Sequence, residues 1–333
     1  MSARPHPTAA SGAYRLSAKR DGYIERTIVT SDGARLAVRD YGSAGARNHT
    51  VVLLHGLCLT QSSWALQVRH LVGRWGNGIR IITYDHRGHG RSTGAGMRSY
   101  EIDRLAADLA EVLGVLGVTG PLTLAGHSMG GMTALAYLGR PAVDRPVDPQ
   151  GLVLVATAAG RLAERGVARL LATRATGMVF GLVDHMPRRA TERAINGLVR
   201  PVCEGLIRYS GHDRNRAAAV TASAVRTISL TTAAGFLPTL RRYDRYDGLE
   251  SIAANTIVIS GGADVITPAS HARDLAAAIP AATHLHRPTA GHMLIEDDPD
   301  CVNTAIDRVM GMRRGSRAAS TRASRNGPGA VAI

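Results

Sequence analysis

Between residues 50 and 157, short apolar runs alternate with stretches of helical periodicity. "TVVLLHG" (50–56) is apolar almost throughout, as a strand buried on both faces should be. "IRIITYD" (79–85), "PLTLA" (121–125) and "GLVLVAT" (151–157) have the same character. Helices are predicted between them at 62–74, 100–118 and 129–139; in the second, apolar residues recur at 102, 105, 109, 112, 113 and 116. Upstream, "ERTIVTSDGARLAVRDYG" reads as two alternating strands joined around Asp32-Gly33, a hairpin. The rhythm resumes with a strand "NTIVISGG" (255–262), a helix near 269–279, a strand "THLHRP" (283–288) and a helix over 299–312. Strands alternating with helices predict an α/β fold, a mainly parallel central sheet with helices on both faces.

Residues 158–246 interrupt this pattern. They contain Ala/Arg/Leu-rich helical stretches near 161–183, 189–209 and 215–232 and no strand pattern. The expectation is a helical lid inserted after the sixth predicted strand, into a core made of 21–157 and 247–312. Residues 1–20 and 313–333 read as basic, flexible tails. No run reaches the roughly 20 apolar residues of a membrane helix. The N-terminal stretch lacks the apolar segment of a secretory signal, so a cytoplasmic protein is expected. Cys58, Cys203 and Cys301 are too scattered for a disulfide framework or a zinc site, and reduced thiols are expected.

The net charge of +14 is unevenly distributed. Residues 1–20 carry Arg4, Arg15, Lys19 and Arg20 without an acid, and 313–333 carry five Arg without an acid. The lid region is also Arg-rich, while the core is slightly acidic. Tyr14 is the one aromatic in the two tails, and no nucleic-acid-binding module is legible, so no nucleic-acid partner is expected. Weak contact of the tails or the lid with anionic surfaces is the most this charge implies. Oligomeric state is left open.

Two G-x-S-x-G patterns compete for attention, Gly126 to Gly130 around Ser128 and Gly90 to Gly94 around Ser92. The pentapeptide alone does not decide between them. A nucleophilic serine of this kind sits on a sharp turn between a strand and a helix, with glycines where side chains would collide. Ser128 follows "PLTLA" and precedes "GMTALAYL". Ser92 follows the polar loop "DHRGHGR" and precedes "TGAGMRS", which is no helix. Ser128 is therefore the expected nucleophile.

A serine hydroxyl needs a base, and the base needs an orienting acid. His292, in "PTAGHMLIED", follows the last strand on a Gly-flanked loop at the edge where open α/β sheets gather their chemistry. Asp264, in "IVISGGADVITP", follows the preceding strand, whereas Asp247 and Glu250 come before that strand and so lie at the wrong edge. An Asx-type turn is the competing reading of Asp264. Met129 and Leu57 are the candidate backbone donors of an oxyanion hole. His55 reads as a structural loop histidine, and Cys58 lacks a base of its own.

These residues carry a resemblance to the α/β-hydrolase superfamily, in its serine esterase, lipase and cofactor-free haloperoxidase-like branch. The matching pieces are "LLHGLCLTQSSW", "ITYDHRGHGRS", "LAGHSMGGMTALAYL", "ISGGADVITP" and "TAGHMLIEDDP", in the family's order. The resemblance implies an α/β-hydrolase fold with a helical lid, a triad of Ser128, Asp264 and His292, and an oxyanion hole at Leu57 and Met129. It places Ser92 in a conformational "DxRGHGxS" loop. Ser128 and Cys58 stand where epoxide hydrolases and dehalogenases carry Asp and Pro, which argues against those branches. The expected activity is hydrolysis of a small-molecule carboxylic ester, medium-chain or lipid-like, with no metal or organic cofactor. Thioester hydrolysis and peracid formation would use the same triad, and a hydrolase-fold binding module is the non-enzymatic alternative.

Overall fold

The computed structural model describes residues 15–20, 22–42, 49–94, 99–166 and 230–311. Nine strands form one sheet: β1 (Arg15–Arg20), β2 (Tyr23–Val29), β3 (Arg35–Tyr41), β4 (His49–Leu54), β5 (Ile79–Tyr84), β6 (Leu122–His127), β7 (Gly151–Val155), β8 (Asn255–Gly261) and β9 (Thr283–Arg287). Their spatial order is β1-β2-β3-β5-β4-β6-β7-β8-β9. β1, β2 and β3 pair antiparallel and β3 meets β5 antiparallel. From β5 to β9 every pairing is parallel. The helices are α1 (Ala65–Trp75), α2 (Ile102–Val115), α3 (Met129–Leu138), α4 (Leu230–Arg242), α5 (Ala269–Ala278), α6 (Leu294–Asp297) and α7 (Pro299–Val309).

The continuous apolar strands are legible because the sheet has two buried faces. Side chains alternate across a strand, so neighbours must enter different cores. Val52 and Leu54 join a cluster with Leu105 and Leu109 of α2, Leu135 of α3 and Leu275 of α5. Val51 and Leu53 join the opposite cluster, with Leu71 of α1, Leu294 of α6 and Ile306 of α7. In β7, Leu152 and Leu154 face the first cluster while Val153 and Val155 face the second. Helices therefore cover both faces, as the alternation predicts. No helix among the described residues is long and apolar enough to cross a membrane.

Two boundaries differ from the sequence reading. Arg15–Arg20, assigned to a flexible tail, form β1 and pair with β2, so β7 rather than a sixth strand precedes the expected lid. A charged hexapeptide reads as solvated, but antiparallel pairing uses backbone groups and an edge strand accommodates charge. The helical stretch expected to end at 232 instead gives way to α4, which runs to Arg242 through Pro238. Ala233, Phe236 and Leu240 are buried at helical spacing, and that packing offsets the hydrogen bond that proline removes. The remainder of the expected lid, 167–229, and the tails 1–14 and 312–333 lie outside the described residues.

Parallel pairing has a geometric consequence. The C-terminal ends of β4, β5, β6, β7, β8 and β9 all reach one edge of the sheet. The segments leaving that edge contain His55 to Cys58, Asp85 to Ser92, Ser128, Thr157, Asp264 and His292. Residues far apart in sequence become neighbours there.

Candidate active site

Ser128 is the single residue between β6 and α3, and its backbone stands at φ 51°, ψ −118°. L-residues avoid that region, and such strain persists where surrounding structure fixes it. Its N–H donates to the Val155 carbonyl at 2.9 Å. The flanking glycines answer a steric need. A Cβ on Gly126 would lie 2.5 Å from the Gly130 backbone, and one on Gly130 would run into the Leu54 carbonyl of β4. The turn can be this tight only without those side chains.

His292 approaches from the loop between β9 and α6. Its Nε2 lies 3.1 Å from Ser128 Oγ and its Nδ1 lies 2.8 Å from Asp264 Oδ2. Asp264 is almost fully buried on the turn after β8. Its Oδ1 accepts the N–H groups of Ile266 (2.8 Å) and Thr267 (2.9 Å), and the Thr267 hydroxyl donates to Oδ2 at 2.8 Å. One carboxylate thus makes the contacts of an Asx-type turn and also meets the His292 ring. Burial pushes its pKa up, but the adjacent His292 and the Thr267 donors outweigh burial and hold it below the ordinary value.

Of the two expected oxyanion donors, Met129 directly follows Ser128, and Leu57 follows Gly56, where a Cβ would lie 3.2 Å from Ser128 Cβ. Met129 opens α3, where an N–H has no acceptor within the helix. Leu57 lies in the turn after β4, held by two histidines. His55 Nδ1 bonds the Gly56 carbonyl at 2.8 Å while its Nε2 accepts the His86 N–H at 2.9 Å. His89 Nε2 accepts the Cys58 N–H at 3.3 Å, and Cys58 adopts a left-handed φ of 63°. Burial lowers the pKa of His55 to about 4 and that of His89 to about 3. His55 thus braces the turn after β4 against the loop after β5.

The sequence reading overlooked Thr267 and His127. The spacing Asp264-x-x-Thr267 is itself a turn signal in which the threonine satisfies the carboxylate. His127 is the variable residue before Ser128 and carried no signal. Its Nε2 donates to the His292 carbonyl at 2.9 Å, tying the β6 end to the loop that carries His292. Burial, with the nearby His292 ring second, lowers its pKa to about 3. Asp247 and Glu250 precede β8 and are not brought to this edge.

A family model described as alpha/beta hydrolase fold matches residues 49–299. A non-heme haloperoxidase of Rhodococcus erythropolis is 35% identical over 118 residues, 35% of this chain and 40% of that protein. The chain thus spans less than half of that relative's length. RutD of Caulobacter segnis, provisionally assigned as a carbamate hydrolase, is 28% identical over 288 residues, 85% of this chain and 98% of that protein. The solved structure of a thermophilic esterase from Thermogutta terrifontis aligns with a TM-score of 0.65 at 27% identity, covering 86% of this chain and 97% of the esterase.

Proposed function

Because the chain belongs to the alpha/beta hydrolase fold family, we propose that it is a serine hydrolase of small-molecule carboxylic esters, working through an acyl-enzyme. One observation carries this reading: the unbroken relay from Asp264 Oδ2 to His292 Nδ1 at 2.8 Å and from His292 Nε2 to Ser128 Oγ at 3.1 Å. His292 takes the Ser128 proton as Oγ attacks the ester carbonyl. Asp264, its own lone pairs engaged by Ile266 and Thr267, holds the imidazole tautomer and stabilises the imidazolium. The Leu57 and Met129 N–H groups receive the oxyanion. His292 then protonates the departing alcohol, and a water activated by the same base releases the acid.

A medium-chain or lipid-like acyl group is the proposed substrate, resting on the largely apolar segment 177–186 and the amphipathic segment 195–207, which lie outside the described residues. The 35% match to a haloperoxidase favours one second reading, in which hydrogen peroxide replaces water as the acyl acceptor.

The test is turnover of p-nitrophenyl esters from acetate to palmitate, with fluorophosphonate labelling, in the wild type and in Ser128→Ala. Turnover and labelling that vanish in the variant support the reading. Labelling without ester turnover redirects it to thioesters or to peracid formation, assayed by bromination of a dye with acetate, peroxide and bromide. Wild-type protein that neither labels nor turns over overturns it in favour of a binding module.

A further inference from the structure

The two proposed oxyanion donors are backbone N–H groups, which no side-chain rotation can aim. Their direction is that of the peptide plane. In a trans peptide the N–H points opposite the preceding carbonyl, so a group that grips the carbonyl of one residue aims the N–H of the next. For Leu57 that carbonyl belongs to Gly56, and the buried His55 ring holds it at 2.8 Å. For Met129 the carbonyl belongs to Ser128 itself.

Thr157, just beyond the end of β7, reaches that carbonyl. Its hydroxyl donates to Ser128 O at 2.7 Å, and its side chain is 1% exposed. The N–H groups of Gly131 (2.9 Å) and Met132 (3.2 Å) share the same oxygen as α3 begins. The Thr157 bond is shorter and comes from a different strand. Two features of the backbone exist to allow it. Ala156 adopts φ 48°, a left-handed conformation that a β-carbon disfavours, at the point where the chain must turn Thr157 toward the elbow. Gly131 leaves the room: a Cβ there would lie 2.7 Å from Thr157 Cγ2 and 2.8 Å from its Oγ1. The third glycine of "GHSMGG" is therefore read as clearance for Thr157. Since Val155 also accepts the Ser128 N–H at 2.9 Å, the end of β7 grips the peptides on both sides of Ser128.

We propose that Thr157 is a positioning residue for acyl transfer, its hydroxyl locking and polarising the Ser128–Met129 peptide so that the Met129 N–H is aimed in advance at the oxyanion. A carbonyl that accepts a hydrogen bond makes the N–H of its own peptide a stronger donor. Thr157 does not touch the reacting atoms, and the proposal rests on the serine-hydrolase reading above.

The experiment compares wild type with Thr157→Val, Thr157→Ala, Thr157→Ser and Ser128→Ala. It measures kcat and KM on a short p-nitrophenyl ester, the pH–rate profile, and inhibition by a trifluoromethyl ketone, whose hemiketal oxyanion occupies the proposed hole. Thr157→Val keeps the side chain's shape and Thr157→Ala cannot overpack, so the pair guards against a misfolded variant; thermal denaturation verifies folding. Both should lower kcat roughly tenfold, a fraction of what removing a direct oxyanion donor costs. Ketone inhibition should weaken to match, with KM and the acid-limb midpoint unchanged because His292 is untouched. Thr157→Ser should recover most of the loss. Folded Val and Ala variants with wild-type kcat and ketone affinity, beside an inactive Ser128→Ala, overturn the role of Thr157 and leave the hydrolase reading standing. A serine variant as impaired as the valine variant also overturns it, since the methyl group rather than the hydroxyl would then be responsible. Wild type without labelling or turnover removes the hydrolase reading and this inference together.

Discussion

Ser128 and Ser92 both stand at the centre of a G-x-S-x-G, and the chain uses their hydroxyls in opposite ways. Ser92 Oγ donates to the Asp85 carbonyl at 2.6 Å and accepts the Ala37 N–H at 2.9 Å, stitching the loop after β5 to β3. Its neighbour Gly90 is required because a side chain would collide with the Asp85 carboxylate, which itself binds the N–H groups of Gln61 and Arg91. Around Ser128 the glycines serve the same steric purpose, but the hydroxyl they free faces an imidazole instead of a carbonyl. The shared pattern thus encodes close backbone approach. What each hydroxyl can do depends on what it meets after folding.

The largest effect separating the two serines is at Ser128. Alanine there removes the proposed attacking atom and should lower kcat on esters by on the order of 10⁴–10⁶ with the fold intact. Asp264→Asn should follow at about 10⁴, because an amide no longer favours the productive tautomer of His292; steady-state kinetics at saturating ester measure it. A loss under tenfold would mean the acid does not orient the base.

Acidification comes next and acts on stability in both regions, since His127 and His55 flank Ser128 while His89 lies in the Ser92 loop. Burial holds the folded pKa values near 3, 4 and 3 respectively, against an ordinary 6.5. The unfolded chain therefore binds protons below pH 6.5 that the folded chain refuses. Stability should fall as pH drops from 6.5 toward 4, by on the order of 1 kcal/mol per pH unit for each histidine, and should gain nothing from these rings above neutrality. Urea unfolding at pH 7, 6 and 5 measures the slope; a flat profile would contradict their neutrality.

The smallest effect belongs to Ser92→Ala. It leaves the Ala37 N–H without its acceptor and should cost about 1–3 kcal/mol of unfolding free energy with kcat on esters held. A loss of activity comparable to that at Ser128 would erase the distinction between the two serines.

Strands β4 to β9 and helices α1 to α3, α5 and α7 fall within a few residues of where apolar periodicity puts them, because a sheet with two buried faces needs unbroken apolar runs. β1 and the course of α4 were not legible. Pairing at β1 engages backbone groups that composition does not report, and α4 keeps Pro238 only because Phe236 and its neighbours are buried. At the site, Ser128, Asp264 and His292 could be singled out by the strands they follow, whereas Thr157 and His127 could not. Each of those two acts on a backbone carbonyl of a residue from another segment, at 2.7 Å and 2.9 Å, and no local pattern announces such a partner.

Local order and one-dimensional periodicity determined which segments are strands, which residues stand at their C-terminal ends, and so which serine has a strand before it and a helix after it. Those properties are written in consecutive residues. Tertiary structure alone decided the distances: that His292 reaches Ser128 across 164 positions of sequence, that Thr267 completes the bonding of Asp264, and that Thr157 lies behind the Ser128 peptide. Parallel pairing sets them, because it brings the ends of non-consecutive strands to one edge, and hydrogen bonds depend on position to within a few tenths of an ångström.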